Sequence, residues 1–222
     1  MGKDIEYEYE YFYQQARNSG YAIVNMYSST MDIIQRKIQE IIINNIARNF
    51  YSEKAVDCLK NFKWEINYTS DDIAQVFVNL RNQLQSIVNG YEYKENPGRH
   101  LTISFIQYKP ISIDVDNIVK EKDDSGKRYI KKDLALDVEE WIHQCKNEIK
   151  SEIRSLSEDI PTDIYIAGGQ SYALRYAMTQ LLGIVDGIFG FLSYGENSIY
   201  NKISEFENDL KTTETKSANK KV

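Results

Sequence analysis

The sequence predicts an α/β protein: a Rossmann-like three-layer sandwich, with a mostly parallel sheet of about five strands, helices on both faces and a hairpin inserted at about 111–131. Three observations carry that prediction. Short apolar runs at Tyr21–Met26, Ile164–Ala167 and Ile188–Leu192 have the length and composition of strands buried on both faces. Lys63–Thr69 and His100–Tyr108 alternate apolar and polar residues, as half-exposed strands do. Between these runs lie longer segments with apolar residues at helical spacing, and such alternation favours a parallel sheet.

Taken in order, residues 3–18 (KDIEYEYEYFYQQARN) mix a period-two row of Tyr7, Tyr9 and Tyr11 with helix-forming Glu and Gln, and read as a helix. They form an N-terminal appendage over 1–19, closed by Ser19-Gly20. Strand one, YAIVNM, leads through the capping cluster Ser28-Ser29-Thr30 into a helix bearing Ile34, Ile38, Ile41, Ile42 and Ile46. A short helix at 52–61 precedes strand two, in which Trp64, Ile66 and Tyr68 alternate with Glu65 and Asn67. The next helix carries Ile73, Val76, Phe77, Leu80, Leu84, Ile87 and Val88 and stops at Asn89-Gly90.

Strand three places Leu101, Ile103 and Phe105 on one face and ends at Pro110. The polar excursion over 111–131 turns at Asp123-Asp124-Ser125-Gly126. A long helix follows with Leu134, Val138, Trp141, Ile142, Cys145, Ile149, Ile153 and Leu156 in register. Strand four is Ile164–Ala167, the turn Gly168-Gly169-Gln170-Ser171 opens a helix with Ala173, Leu174, Ala177, Leu181 and Leu182, and strand five is Ile188–Leu192. Residues 20–210 thus make one domain, 198–210 add a terminal helix, and the polar 211–222 read as a disordered tail.

Composition narrows the function classes. The chain has 222 residues, a formal net charge of -6, 42% hydrophobic and 27% charged residues, as in an ordinary globular protein. Its acidity opposes a long nucleic-acid groove, which needs clustered Lys and Arg. Cys58 and Cys145 form no CxxC pair and imply a reducing, cytoplasmic setting. The uncharged run Tyr176–Val185 is shorter than the roughly 20 residues a membrane span needs, so no membrane partner is expected. No P-loop, dinucleotide fingerprint or GxSxG elbow is present. Neither His100 nor His143 has a ligand partner at metal spacing, so no catalytic residue, metal or cofactor is assigned.

The candidate site lies beyond the carboxyl ends of the strands, where an open parallel sheet binds ligands. The turn after strand one offers Asn25, Tyr27, Ser28, Ser29 and Thr30, and the turn after strand four offers Gly168, Gly169, Gln170 and Ser171. Both feed helix N-termini, which attract anionic groups such as phosphates. Close helix–strand packing is the other reason for a glycine pair in that position.

The stretch TDIYIAGGQSYALRYAMTQLL followed by GIFGFLSYG resembles the C-terminal βαβ part of CARF and SAVED domains, Rossmann-like sensors of cyclic oligonucleotides in prokaryotic antiviral defence. The resemblance covers about 35 residues, and it implies a nucleotide second messenger bound over the first and fourth loops, with Arg175 or Tyr194 assisting. Those families often place a base directly after the glycines; Gln170 and Ser171 stand there here. With no effector domain in the sequence, the resemblance implies a sensor acting through a homo-oligomer or an effector protein. The alternative from another class is a non-enzymatic structural or interaction protein, a complex subunit or virus-encoded inhibitor without a small-molecule ligand.

Overall fold

The computed structural model describes residues 2–95, 100–116, 129–161 and 171–219. The elements are α1 (Gly2–Gln39), a π-helix (Glu40–Ile46), α2 (Ala47–Asn49), β1 (Phe50–Tyr51), α3 (Glu53–Glu95), β2 (Tyr129–Ile130), α4 (Leu134–Glu158), α5 (Ser171–Ser193) and α6 (Ile199–Asn219). Among the described residues, the sheet is the antiparallel pair β1–β2, in the register Phe50 to Ile130 and Tyr51 to Tyr129. The expected Rossmann-like sandwich is therefore not the fold. This is a helical protein.

The reason lies in the spacing of the buried residues. In α1, Ile23, Met26, Tyr27, Thr30, Met31, Ile34 and Ile38 are all buried. They recur every three or four positions, so the apolar run expected to be strand one continues the stripe of the helix that follows it. In α3 the buried series Leu59, Phe62, Ile66, Ser70, Ile73, Phe77, Leu80, Leu84 and Val88 has the same spacing. The alternation of Trp64, Ile66 and Tyr68 is a by-product of that register: Ile66 is buried, whereas Trp64 and Tyr68, one turn apart, are exposed. Expected strand five, Ile188–Leu192, is the last turn of α5. Expected strand four and most of the 111–131 hairpin, residues 117–128, lie outside the described residues.

The chain divides into two compact units, each taking segments from three parts of the sequence. Unit 1 comprises Met1–Ile33, Ser70–Pro110 and Lys150–Ile184. Its N-terminal tyrosines pack by their rings: Phe12 stacks on Tyr91 at 3.8 Å between centroids, and Tyr9 and Tyr13 meet Tyr91 edge-on. The helix expected over 3–18 is present, but Ser19-Gly20 does not end it. Gly20 instead lets another segment come close, since a Cβ built there lies 2.7 Å from Ile103 Cγ2.

That segment, residues 100–110, is the expected strand three. It runs without helix or ladder, and side chains take the place of a neighbouring strand. Gln85 on α3 accepts the Ile103 N–H through Oε1 at 2.8 Å and donates Nε2 to the Leu101 carbonyl at 2.9 Å. Arg81 donates to the Ile103 carbonyl at 3.0 Å, the buried Glu92 carboxylate accepts the Leu101 N–H, and the Tyr27 hydroxyl accepts the Lys109 N–H at 2.8 Å. Every one of these satisfies a backbone group that would otherwise need a sheet. Ile103 and Ile106 are buried while Phe105 is exposed, which breaks the expected alternation.

Unit 2 comprises Ile34–Thr69, Ile111–Ile149 and Val185–Val222. The π-helix inserts one wide turn, marked by Ala47 N–H donating to the Ile42 carbonyl, and buries Ile41, Ile42 and Ile46 together. Ile111, Ile113 and Val115 are buried in alternation with exposed residues, so the excursion begins as an apolar contribution to this core. Phe50 packs edge-on against Phe206 of α6. Residues 211–219, expected as disordered tail, continue α6, with 211–216 exposed.

Lys37 of α1 donates to Glu148 of α4 within this unit. That bond pulls the Glu148 carboxyl below its usual range and raises the Lys37 ammonium above its own. In α5, Tyr172–Ser193 has the length and apolarity of a membrane span, with a mean hydropathy of 1.3 over its best window, contrary to the shorter run expected. It also carries Arg175 and Asp186, and Ala177, Leu181, Val185, Ile188 and Leu192 recur as buried residues at helical spacing, so the helix buries one face while Tyr172, Tyr176 and Phe191 stay exposed.

Two predictions follow the packing. Gly20→Ala should destabilise by roughly 1 kcal/mol, the overlap with Ile103 outweighing a gain of about 1 kcal/mol in helix propensity. In an Ile103→Ala background the same change should turn stabilising; denaturant titration of the four proteins checks the sign. Glu148→Gln should cost about 0.5 kcal/mol at pH 7, a partly solvated ion pair being worth little more. A lowered folded pKa gives stability that is present above the unfolded carboxylate range and lost as pH falls through the folded value. The difference between Glu148→Gln and the parent should therefore shrink as melts are taken from neutral pH down through the ordinary carboxylate range, and vanish only below it.

Candidate functional site

The described residues among those expected to bind a ligand do not sit on strand-end turns. Asn25, Tyr27, Ser28, Ser29 and Thr30 lie within one helix, α1, rather than on a turn. Tyr27 and Thr30 are buried, Tyr27 holding Lys109 and meeting Phe77 edge-on. The Thr30 hydroxyl has no hydrogen-bond partner among the described residues. Asn25 and Ser29 line a groove of unit 1 with Asn18, Tyr21, Met26 and Asp159. Gly168, Gly169 and Gln170 lie outside the described residues, and Ser171 is the first residue of α5. Arg175 is exposed on that helix within unit 1. Tyr194 belongs to unit 2, where it takes part in a different arrangement.

That arrangement starts from the turn between α5 and α6. The Tyr194 N–H closes α5 on the Gly190 carbonyl at 2.7 Å, and Gly195 then takes φ +97°, a conformation that glycine adopts without a Cβ penalty. Asn201 donates Nδ2 to the Gly195 carbonyl at 2.6 Å and its own N–H to Ser198 Oγ at 3.2 Å, so Ser198 caps α6. The Cys58 thiol of α3 donates to the Asn197 carbonyl at 3.6 Å and ties the turn to that helix. The connection is held at both ends and in the middle.

Between this turn and α3 runs a groove of about 480 Å³. From α3 come Cys58, Asn61, Phe62 and Glu65, on one face by their three- and four-residue spacing, together with Trp64. The other wall is Phe191, Tyr194 and the turn as far as Ser198. Trp64, Phe191 and Tyr194 are 59%, 45% and 76% exposed, and Trp64 is braced edge-on by Tyr68 at 4.4 Å. Tyr194 and Gly195 also edge a second, more polar hollow of about 360 Å³ with His143, Lys146 and Tyr200.

The groove offers apolar and hydrogen-bonding surface with two carboxylates, Glu65 and Glu196. Burial pushes both thiols up, Cys145 to about 11, so they stay protonated at neutral pH and are poor nucleophiles. Among the described residues no three His, Cys, Asp or Glu side chains are placed to hold a metal. His143 bonds Asn147 on the surface, and His100 is exposed 3.9 Å from Glu92. Sequence reasoning found Tyr194 but not Trp64, Glu65 or Phe191. The available signal was the Trp64–Tyr68 pair, one turn apart and off the buried stripe of α3.

Iodoacetamide at pH 7.5 should leave Cys58 and Cys145 unmodified in the folded protein and alkylate both once denaturant is added; mass spectrometry of the two samples checks this. Comparison with protein families, curated proteins and solved structures finds no match for the chain.

Proposed function

We propose that this chain is a non-enzymatic helical interaction protein that docks a partner polypeptide in the groove between α3 and the α5–α6 turn. One observation carries the reading: Trp64, Phe191 and Tyr194 stand exposed around a single groove whose turn is held by hydrogen bonds from Ser198, Asn201 and Cys58. Exposed aromatic side chains on a rigid support are the residues on which binding energy concentrates at protein interfaces. Fixing them before association lowers the ordering cost of docking. The nucleotide-sensor reading rested on a strand-end cleft, and the helical course of residues 21–30 and 188–192 removes two of the strands that were to frame it.

A displayed peptide library selected against the protein tests the docking reading. Selected peptides should lose at least about tenfold in affinity on Trp64→Ala and on Tyr194→Ala, a change of about 1.4 kcal/mol. Both variants should keep the parental melting temperature within about 2 °C, because the replaced side chains are exposed. Peptides indifferent to both substitutions overturn the reading, and so does a melting shift with cyclic di-, tri-, tetra- or hexanucleotides in place of peptide binding.

A further inference from the structure

We infer that the segment docking in this groove is arginine-bearing, with a guanidinium stacked on the Trp64 indole and paired with the carboxylates beside it. The inference rests on the docking reading above and names the partner's chemistry. The charged residues lining the groove are Glu65 and Glu196, both acidic. Of the cations beside its walls, Lys63 pairs with Asp116 at 2.6 Å and Lys202 with Glu205 at 3.1 Å, and Lys60, next to Asn61, is exposed and does not line the groove. Neither Glu65 nor Glu196 has a cation partner among the described residues, so the groove carries uncompensated negative charge next to bare aromatic rings.

The two tryptophans make the contrast. Lys131 of this chain sits 5.8 Å from the centre of the Trp141 ring, which satisfies that π face internally. No described cation covers Trp64, which is more than half exposed and adjoins Glu65 along α3. A cation approaching Trp64 gains the ring quadrupole and a carboxylate together. Arginine suits this better than lysine, because its planar group stacks on the indole while its N–H groups reach a carboxylate. An acidic segment would meet two like charges, and a neutral apolar one would leave the carboxylates beside it without a partner.

The experiment uses the full chain carrying Trp141→Phe, which leaves Trp64 as the sole tryptophan emitter. Four 12-residue peptides of matched helical, Leu-containing sequence are titrated, carrying arginine, lysine, citrulline or glutamate at the same three positions. The arginine peptide should change Trp64 emission and bind about tenfold or more tighter than the citrulline peptide at low salt, with the gap narrowing as salt rises. The lysine peptide should fall between them. Glu65→Gln with Glu196→Gln should reduce the arginine-over-citrulline preference severalfold while leaving citrulline-peptide binding unchanged. Equal binding of arginine and citrulline peptides, or stronger binding of the glutamate peptide, overturns the arginine inference and leaves the docking reading standing. If none of the four binds and the selected library peptides also ignore Trp64→Ala, both fall.

Discussion

The structure depends on burying one apolar stripe along each long helix. In α1 and α3 the stripe is unbroken over most of the helix, so the backbone can stay helical through residues with little intrinsic helix preference. Ile41 to Ile43 and the Tyr21–Met26 run are rich in β-branched and aromatic side chains, which taken alone favour strands. Tertiary burial overrides that preference, and the π-helix marks where the stripe is re-phased so that Ile41, Ile42 and Ile46 all reach the interior.

This also explains how much of the fold was legible. The helices from Ile34 to Ile46, Ile73 to Val88 and Leu134 to Leu156 were readable because their stripes are set off by charged faces. Tyr21–Met26 and Ile188–Leu192 were not, because a short window of apolar residues has no visible period; only the spacing to Ile34, or back to Leu181, reveals the helix. Lys63–Thr69 misled for another reason. Trp64 and Tyr68 are large and apolar yet lie outside, so counting them as core produced a period of two where the buried residues keep a period near 3.6. One of those outward aromatics, Trp64, lines the groove with Tyr68 braced against it, and the candidate site was hidden by the feature that makes it one.

The groove and the turn show how a surface can be fixed with few contacts. Ser198 and Asn201 are ordinary capping chemistry, and Gly195 is an ordinary turn glycine, but together with the Cys58 bond they hold Tyr194 on the groove's edge. The thiol there is structural: burial keeps it protonated, and a protonated thiol is the form that donates.

The extended segment at 100–110 has a consequence of a different kind. Gln85 behaves as a surrogate strand, presenting an acceptor to one residue and a donor to the residue two before it, the same pair of groups a neighbouring backbone would offer. An amide side chain carries both groups on one planar end, and glutamine does so with one more methylene of reach than asparagine. The permitted vocabulary at position 85 is therefore narrow, although the residue is partly exposed. In any set of descendants of this chain, invariance there would signal architecture, whereas drift at Trp64 or Tyr194 would track a change of partner.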